Sequence, residues 1–106
     1  MGISKRTSFS ERENRIADLA KALAHPARVA ILEFLAGRNA CMCGDIVDHI
    51  PLSQATVSQH LAELKRVGLI NGEIEGPRVC YCVDRKAWND AREMLSQFLT
   101  DVGGCC

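Results

Sequence analysis

The chain has 106 residues, 47% of them apolar, with 13 basic and 13 acidic side chains and a formal net charge of zero. That length supports one domain with a limited core, and no apolar run reaches the roughly 18–20 residues needed to span a bilayer. The first ten residues lack the apolar segment of a secretion signal, so a cytosolic protein without membrane contact is expected.

Residues 1–10 are polar and read as a mobile arm. Ser10-Glu11-Arg12-Glu13 has the pattern of a capping box, and Ile16, Leu19, Ala20 and Leu23 follow as the apolar stripe of a first helix. A second helix starts at Pro26, favourable at a first helical position, and runs to about Ala36, where Gly37 ends it. Cys43 to about Ile50 makes a short third helix that buries Ile46, Val47 and Ile50. Pro51-Leu52-Ser53 breaks it and supplies a turn and an N-cap for a fourth helix, which extends to Val67 and stops at Gly68. Residues 69–75 and 78–84 alternate as strands around Gly76-Pro77 and predict a β-hairpin. Residues 85–100 form a last helix with Ala87, Trp88, Ala91, Met94, Leu95 and Phe98 on one broad face. So apolar a helix on so small a core predicts a dimer interface shared with the first helix. Residues 101–106 are expected to be a mobile tail. The whole is one mainly α domain with a β-hairpin.

The fourth helix carries the clearest functional signal. Val57, Leu61, Leu64 and Gly68 recur at helical spacing as its buried side. Ser53, Gln54, Thr56, Ser58, Gln59 and His60 supply uncharged donors and acceptors for the other side, the kind of groups that read base edges in a major groove. Lys65 and Arg66 near its end suit both the helix dipole and a phosphate. Arg78, near the hairpin tip, is a candidate for a minor-groove or phosphate contact, with a merely solvated arginine equally compatible. The fourth helix is therefore read as the recognition half of a helix-turn-helix, with double-stranded DNA as partner. Charge supports this modestly. Residues 1–15 carry net +2, 16–52 net −1, 53–86 net +1 and 87–106 net −2, so positive charge accompanies the recognition helix, the hairpin and the arm.

Six cysteines occur as three close pairs: Cys41 with Cys43, Cys80 with Cys82, and Cys105 with Cys106. In a reducing cytosol such pairs point to metal binding or redox chemistry rather than a disulfide framework. Cys41 and Cys43 sit at the mouth of the third helix, where the dipole favours thiolate. Residues two apart on a regular helix diverge, so both reach one ion only if the helix start is distorted or they precede it. Cys80 and Cys82 share one strand face about 6.5 Å apart, and packing is favoured for them over ligation. Cys105 and Cys106 follow two glycines and are available to complete a site. The histidines His25, His49 and His60 are not spaced for zinc, so soft thiophilic ions are favoured over oxygen- and nitrogen-loving ones.

The segments LSQATVSQHLAELKRVGLI and Ala24-His25-Pro26-Ala27-Arg28-Val29-Ala30-Ile31-Leu32 together resemble the ArsR/SmtB family of metal-responsive repressors, over about residues 14–100. The resemblance implies a winged helix-turn-helix homodimer that leaves operator DNA when a metal or metalloid binds, with no permanent cofactor. Some arsenic- and antimony-responsive members, and related cadmium/lead-responsive ones, carry Cys-x-Cys at the start of this third helix, which favours As(III) or Sb(III) as inducer at Cys41 and Cys43. The chain departs from the arsenic pattern in that Gly44 intervenes before Asp45 and Ile46 stands where some members have a third cysteine. A third sulfur is then expected from Cys105 or Cys106. The alternative is a repressor of the same fold gated by thiol oxidation or persulfide. An enzyme is disfavoured, because no Cys-x-x-Cys and no acid/base constellation accompanies a cysteine.

Overall fold

A computed structural model of the chain describes residues 6–38, 41–42, 44–75 and 78–104. In chain order the elements are α1 (Glu11–Ala22), α2 (Pro26–Ala36), α3 (Asp45–His49), α4 (Gln54–Arg66), β1 (Ile70–Glu75), β2 (Arg78–Val83) and α5 (Arg85–Gly103). The helix-turn-helix is α3–α4, and the hairpin β1–β2 is its wing.

The helix starts are set by their caps. Ser10 and Glu13 exchange reciprocal bonds: the Glu13 N–H donates to Ser10 Oγ at 3.0 Å and the Ser10 N–H to Glu13 Oε1 at 2.9 Å. The arm expected to be mobile is tied to α1 from Arg6 onward. Arg6 pairs with Asp18 at 2.9 Å, and Asn14 Nδ2 donates to the Arg6 carbonyl at 3.0 Å. His25 caps α2, its Nδ1 accepting from the Ala27 N–H at 3.0 Å ahead of Pro26. Asp84 caps α5 by accepting from the Ala87 N–H at 3.0 Å. Helix α5 continues past the expected end at Thr100 to Gly103, so the first three residues of the expected tail are helical. An i,i+4 bond from Gln97 Nε2 to Asp101 Oδ1 at 2.7 Å supports the added turn.

The main apolar cluster joins Leu19 of α1, Ile31 and Leu35 of α2, Ile46 of α3, Val57, Leu61 and Leu64 of α4, Leu69 and Ile70, and Ala91 of α5. The stripes predicted for the first four helices contribute to this core or pack at its edge, except that Ala20 of the first is exposed and Ala22 is buried instead. Helix α4 ends in a Schellman motif. The Leu69 N–H bonds the Leu64 carbonyl at 3.1 Å, and the Gly68 N–H bonds the Lys65 carbonyl at 3.0 Å. Gly68 has φ +86°, the one left-handed residue among those described. Leu64 and Leu69 are both buried beside this turn, which fixes the direction in which the chain leaves α4 for the wing.

The wing pairs antiparallel with Ile70 opposite Val83, Gly72 opposite Tyr81 and Glu73 opposite Cys80. Gly72 leaves room for a close approach: a Cβ there would lie 3.3 Å from both Lys65 Nζ and the Tyr81 ring. On its other edge β2 is met by Met42. The Met42 N–H donates to the Tyr81 carbonyl at 2.7 Å and the Tyr81 N–H to the Met42 carbonyl at 2.8 Å. The backbone of Met42 is spent on β2, and α3 runs Asp45–His49; its expected start, Cys43, lies outside the described residues.

Alanine at position 68 forces an L side chain into the left-handed region, at a cost of about 1–2 kcal/mol. Urea unfolding of Gly68→Ala should show that loss. An unchanged midpoint would mean that α4 does not depend on this turn.

Candidate functional site

Capping and core packing together settle which side of α4 faces outward. Val57, Leu61 and Leu64 are buried, while Gln54 in the first turn and Ser58 and Gln59 beyond it are exposed. Ser53 and Thr56 are committed to the helix start: the Ser53 hydroxyl accepts from the Thr56 N–H at 3.3 Å and lies 2.9 Å from the Thr56 hydroxyl. Lys65 and Arg66 are exposed at the other end. Arg66 makes a two-pronged pair with Glu63, at 2.7 and 3.0 Å, which holds the Glu63 carboxyl below its usual range. Such an exposed pair is weak in water and can exchange its carboxylate for a phosphate. Arg78 lies on β2, but its side chain falls outside the described residues.

His60 differs from expectation. Instead of pointing toward groove or solvent, it is half-buried. Its Nδ1 accepts from Arg28 Nε at 3.2 Å, and its ring lies 4.3 Å from the His25 ring. Arg28 is the centre of this arrangement, because the same guanidinium also donates to the carbonyls of Lys21 and Ala22 at 3.0 and 3.2 Å. It thereby satisfies the open C-terminal carbonyls of α1 and holds α4 to the start of α2. Burial, then the neighbouring His25 and Arg28, push the His60 pKa below its ordinary value of 6.5. A neutral ring is what the bond requires, since a protonated Nδ1 cannot accept.

The cysteines pair across segments rather than along them. Met42 and Tyr81 exchange both hydrogen bonds, so the next positions outward, Cys41 and Cys82, form a non-hydrogen-bonded pair, the closest side-chain placement in an antiparallel ladder. Their Cα atoms are 4.4 Å apart and their sulfurs are joined as a disulfide. The expectation that Cys82 merely packs is corrected by this contact. Cys80, two residues along the same strand face, is fully buried and also disulfide-bonded. That face carries Glu73 as well. The Cys41 and Cys82 sulfurs and a Glu73 carboxylate oxygen lie within 4.8 Å of one another, the one group of three such ligand atoms found among the described residues. Met42, Tyr81 and Val83 point the other way, into the core. The alternation explains how Cys80 is buried without joining the main apolar cluster. Cys43, Cys105 and Cys106 lie outside the described residues.

Sequence reasoning overlooked the position of Glu73, the links that Arg28 makes and the pairing of Cys82 with Cys41. Two Cys-x-Cys motifs with an apolar residue between each pair are the signal that was present. Adjacent antiparallel segments of that pattern place their sulfurs on one face.

A helix-turn-helix domain model matches residues 23–73. The chain is similar to the HTH-type transcriptional regulator YgaV of Escherichia coli, at 36% identity over 73 residues, covering 69% of this chain and 74% of that protein. It is similar to the HTH-type transcriptional regulator CmtR of Mycobacterium tuberculosis, at 38% identity over 72 residues, and there it covers 68% of this chain and 60% of that protein. Among solved structures, Rv0081 of M. tuberculosis superposes with a TM-score of 0.64 at 28% identity, over 88% of this chain and 97% of that one.

The His60 shift has a defined pH signature. A depressed histidine pKa contributes stability that is present above about 6.5 and lost as pH falls through the lower folded value. Denaturant midpoints should therefore decline between pH 7 and pH 5 in the parent chain and less steeply in His60→Gln. Equal slopes would place His60 in water.

Proposed function

This chain belongs to the ArsR/SmtB family of transcriptional regulators, and on that footing we propose that it is a homodimeric repressor whose hold on operator DNA is released by a thiophilic metalloid or metal. The observation that carries the DNA half is the exposure of Gln54, Ser58 and Gln59 on a helix packed into the core by Val57, Leu61 and Leu64. Short amide and hydroxyl side chains on a rigid helix suit the donor and acceptor pattern of a major groove. Lys65 and Arg66 flank them for phosphate, with Arg78 of the wing as a further contact. Ser53 and Thr56 act by holding the helix start, and His60 by holding α4 against α2.

Dimerisation fits the two outer helices. Phe98, Leu99 and Val102 stand exposed on α5, at 37%, 66% and 64%, and a groove of about 240 Å3 runs between α1 and α5 beside Leu19, Trp88 and Leu95. A two-fold partner covers such a face. The two recognition helices then read half-sites about 34 Å apart or a multiple of that.

The inducer half rests on cysteine chemistry. Cys41 stands at the mouth of the helix that supports α4, and soft thiolates select As(III), Sb(III) and similar ions over oxygen-loving ones. Cys43, and a third sulfur from Cys105 or Cys106 of the tail, are the partners that the sequence reading expects for it. A second reading is favoured by the bond between Cys41 and Cys82. In it, a peroxide takes two electrons from two thiols, giving the disulfide and two waters, and this oxidation is the signal. Arsenite that releases DNA under strong reductant supports the metalloid reading. Release by peroxide alone, with none by arsenite, supports the redox one.

Alanine at Gln54, Ser58 or Gln59 should weaken specific operator binding by on the order of 1–3 kcal/mol per lost base contact, measured by fluorescence anisotropy against a scrambled duplex. A triple variant with parental affinity would remove α4 from the groove.

A further inference from the structure

We propose that the wing itself is half of the inducer site: Cys82 of β2 and Cys41 ahead of α3 capture one thiophilic ion between them, with the Glu73 carboxylate beside it. The proposal rests on the repressor reading above and gives Cys41 a partner on the wing, Cys82, in place of the sulfurs expected from Cys43 and the C-terminal tail.

The geometry argues for it in three steps. The reciprocal Met42–Tyr81 bonds fix the register, so Cys41 and Cys82 face each other whatever their oxidation state, with Cα atoms 4.4 Å apart. Thiolates sharing a tetrahedral ion at about 2.3 Å sit roughly 3.7 Å apart, which side-chain rotation at this Cα separation allows. Glu73 brings an oxygen within 4.8 Å of both sulfurs from the neighbouring strand. Two soft ligands and one hard one on three adjacent backbone segments make a built site.

Chemically, trivalent arsenite exchanges two hydroxyls for two thiols. As(OH)3 and two R–SH give (R–S)2As–OH and two waters, with no change of oxidation state. The third position stays with hydroxide or passes to Glu73. The oxidised pair has no thiolate to offer, so the disulfide form is closed to the ion.

The consequence for DNA follows from connectivity. The stretch between Cys41 and Cys82 contains α3, α4 and β1. Closing it through an ion fixes the wing against the mouth of α3 and so fixes the angle between wing and recognition helix. An ion that favours this closed angle over the one DNA requires lowers operator affinity by that difference.

The test uses the full-length reduced protein, titrated with sodium arsenite while operator release and sulfur–arsenic absorption are followed together. Cys41→Ser and Cys82→Ser should each raise the half-releasing arsenite concentration at least about tenfold, because the second thiol acts at high effective concentration. The Cys105→Ser, Cys106→Ser double variant should match the parent, and operator affinity without arsenite should be unchanged in all three. If Cys82→Ser behaves as the parent while the tail variant loses the response, the wing site is wrong and the repressor reading stands. If arsenite releases neither the parent nor any variant, the inducer reading itself has failed. Should serine at 82 unfold the wing, arsenite protection of thiols from iodoacetamide in the parent decides. Protection of both Cys41 and Cys82 supports the proposal, and a freely alkylated Cys82 overturns it.

Discussion

The pair of backbone hydrogen bonds between Met42 and Tyr81 organises this molecule more than any single side chain. Through them a hairpin that also packs on α2 and α4 is gripped at its outer edge. The same bonds tie the segment ahead of α3 to the wing and set the face on which Cys41 and Cys82 lie. On one side of the sheet Met42, Tyr81 and Val83 complete the core. On the other, Cys41, Cys80, Cys82 and Glu73 are collected. A strand's two-residue period does this sorting at no further cost once the register is fixed.

Helix α4 is held at three points, each by a different kind of interaction. Ser53 and Thr56 close its start, the Schellman turn at Gly68 directs its exit, and Arg28 with His60 anchors its middle to α1 and α2. What the proposed reading leaves for base contacts is a short exposed set, Gln54, Ser58 and Gln59, on a rigid support. Rigidity matters here because base-edge contacts reward fixed donors and acceptors and a mobile helix forfeits them in entropy. Ligand capture at the back of the wing acts on that support and leaves the reading groups untouched, so sensing and recognition use different residues of one connected frame.

Local order was legible in the sequence because local rules govern it. The Ser10 capping box, Pro26 at the start of α2, the Ser53 cap, the stop at Gly68 and the hairpin about Gly76-Pro77 all depend on residues a few positions apart. The fold and the exposed side of α4 followed from them. Contacts between distant segments were not legible. Nothing local to Cys41 and Met42 says that they will meet β2, so sequence alone favours packing for Cys82. Likewise His60 has the chemistry of a groove contact, and only the approach of Arg28, 32 positions away, turns it inward. The expected end of α5 fell short for a milder reason: Gly103 weakens a helix without ending one that Gln97 and Asp101 brace.

Anomalous scattering from arsenic in crystals of the reduced protein grown with arsenite tests the central claim, that an ion joins the wing to the mouth of the helix-turn-helix. The account predicts one arsenic peak per protomer at bonding distance from both Cys41 Sγ and Cys82 Sγ. A peak held by Cys105 and Cys106, with the Cys82 sulfur unligated, would contradict it.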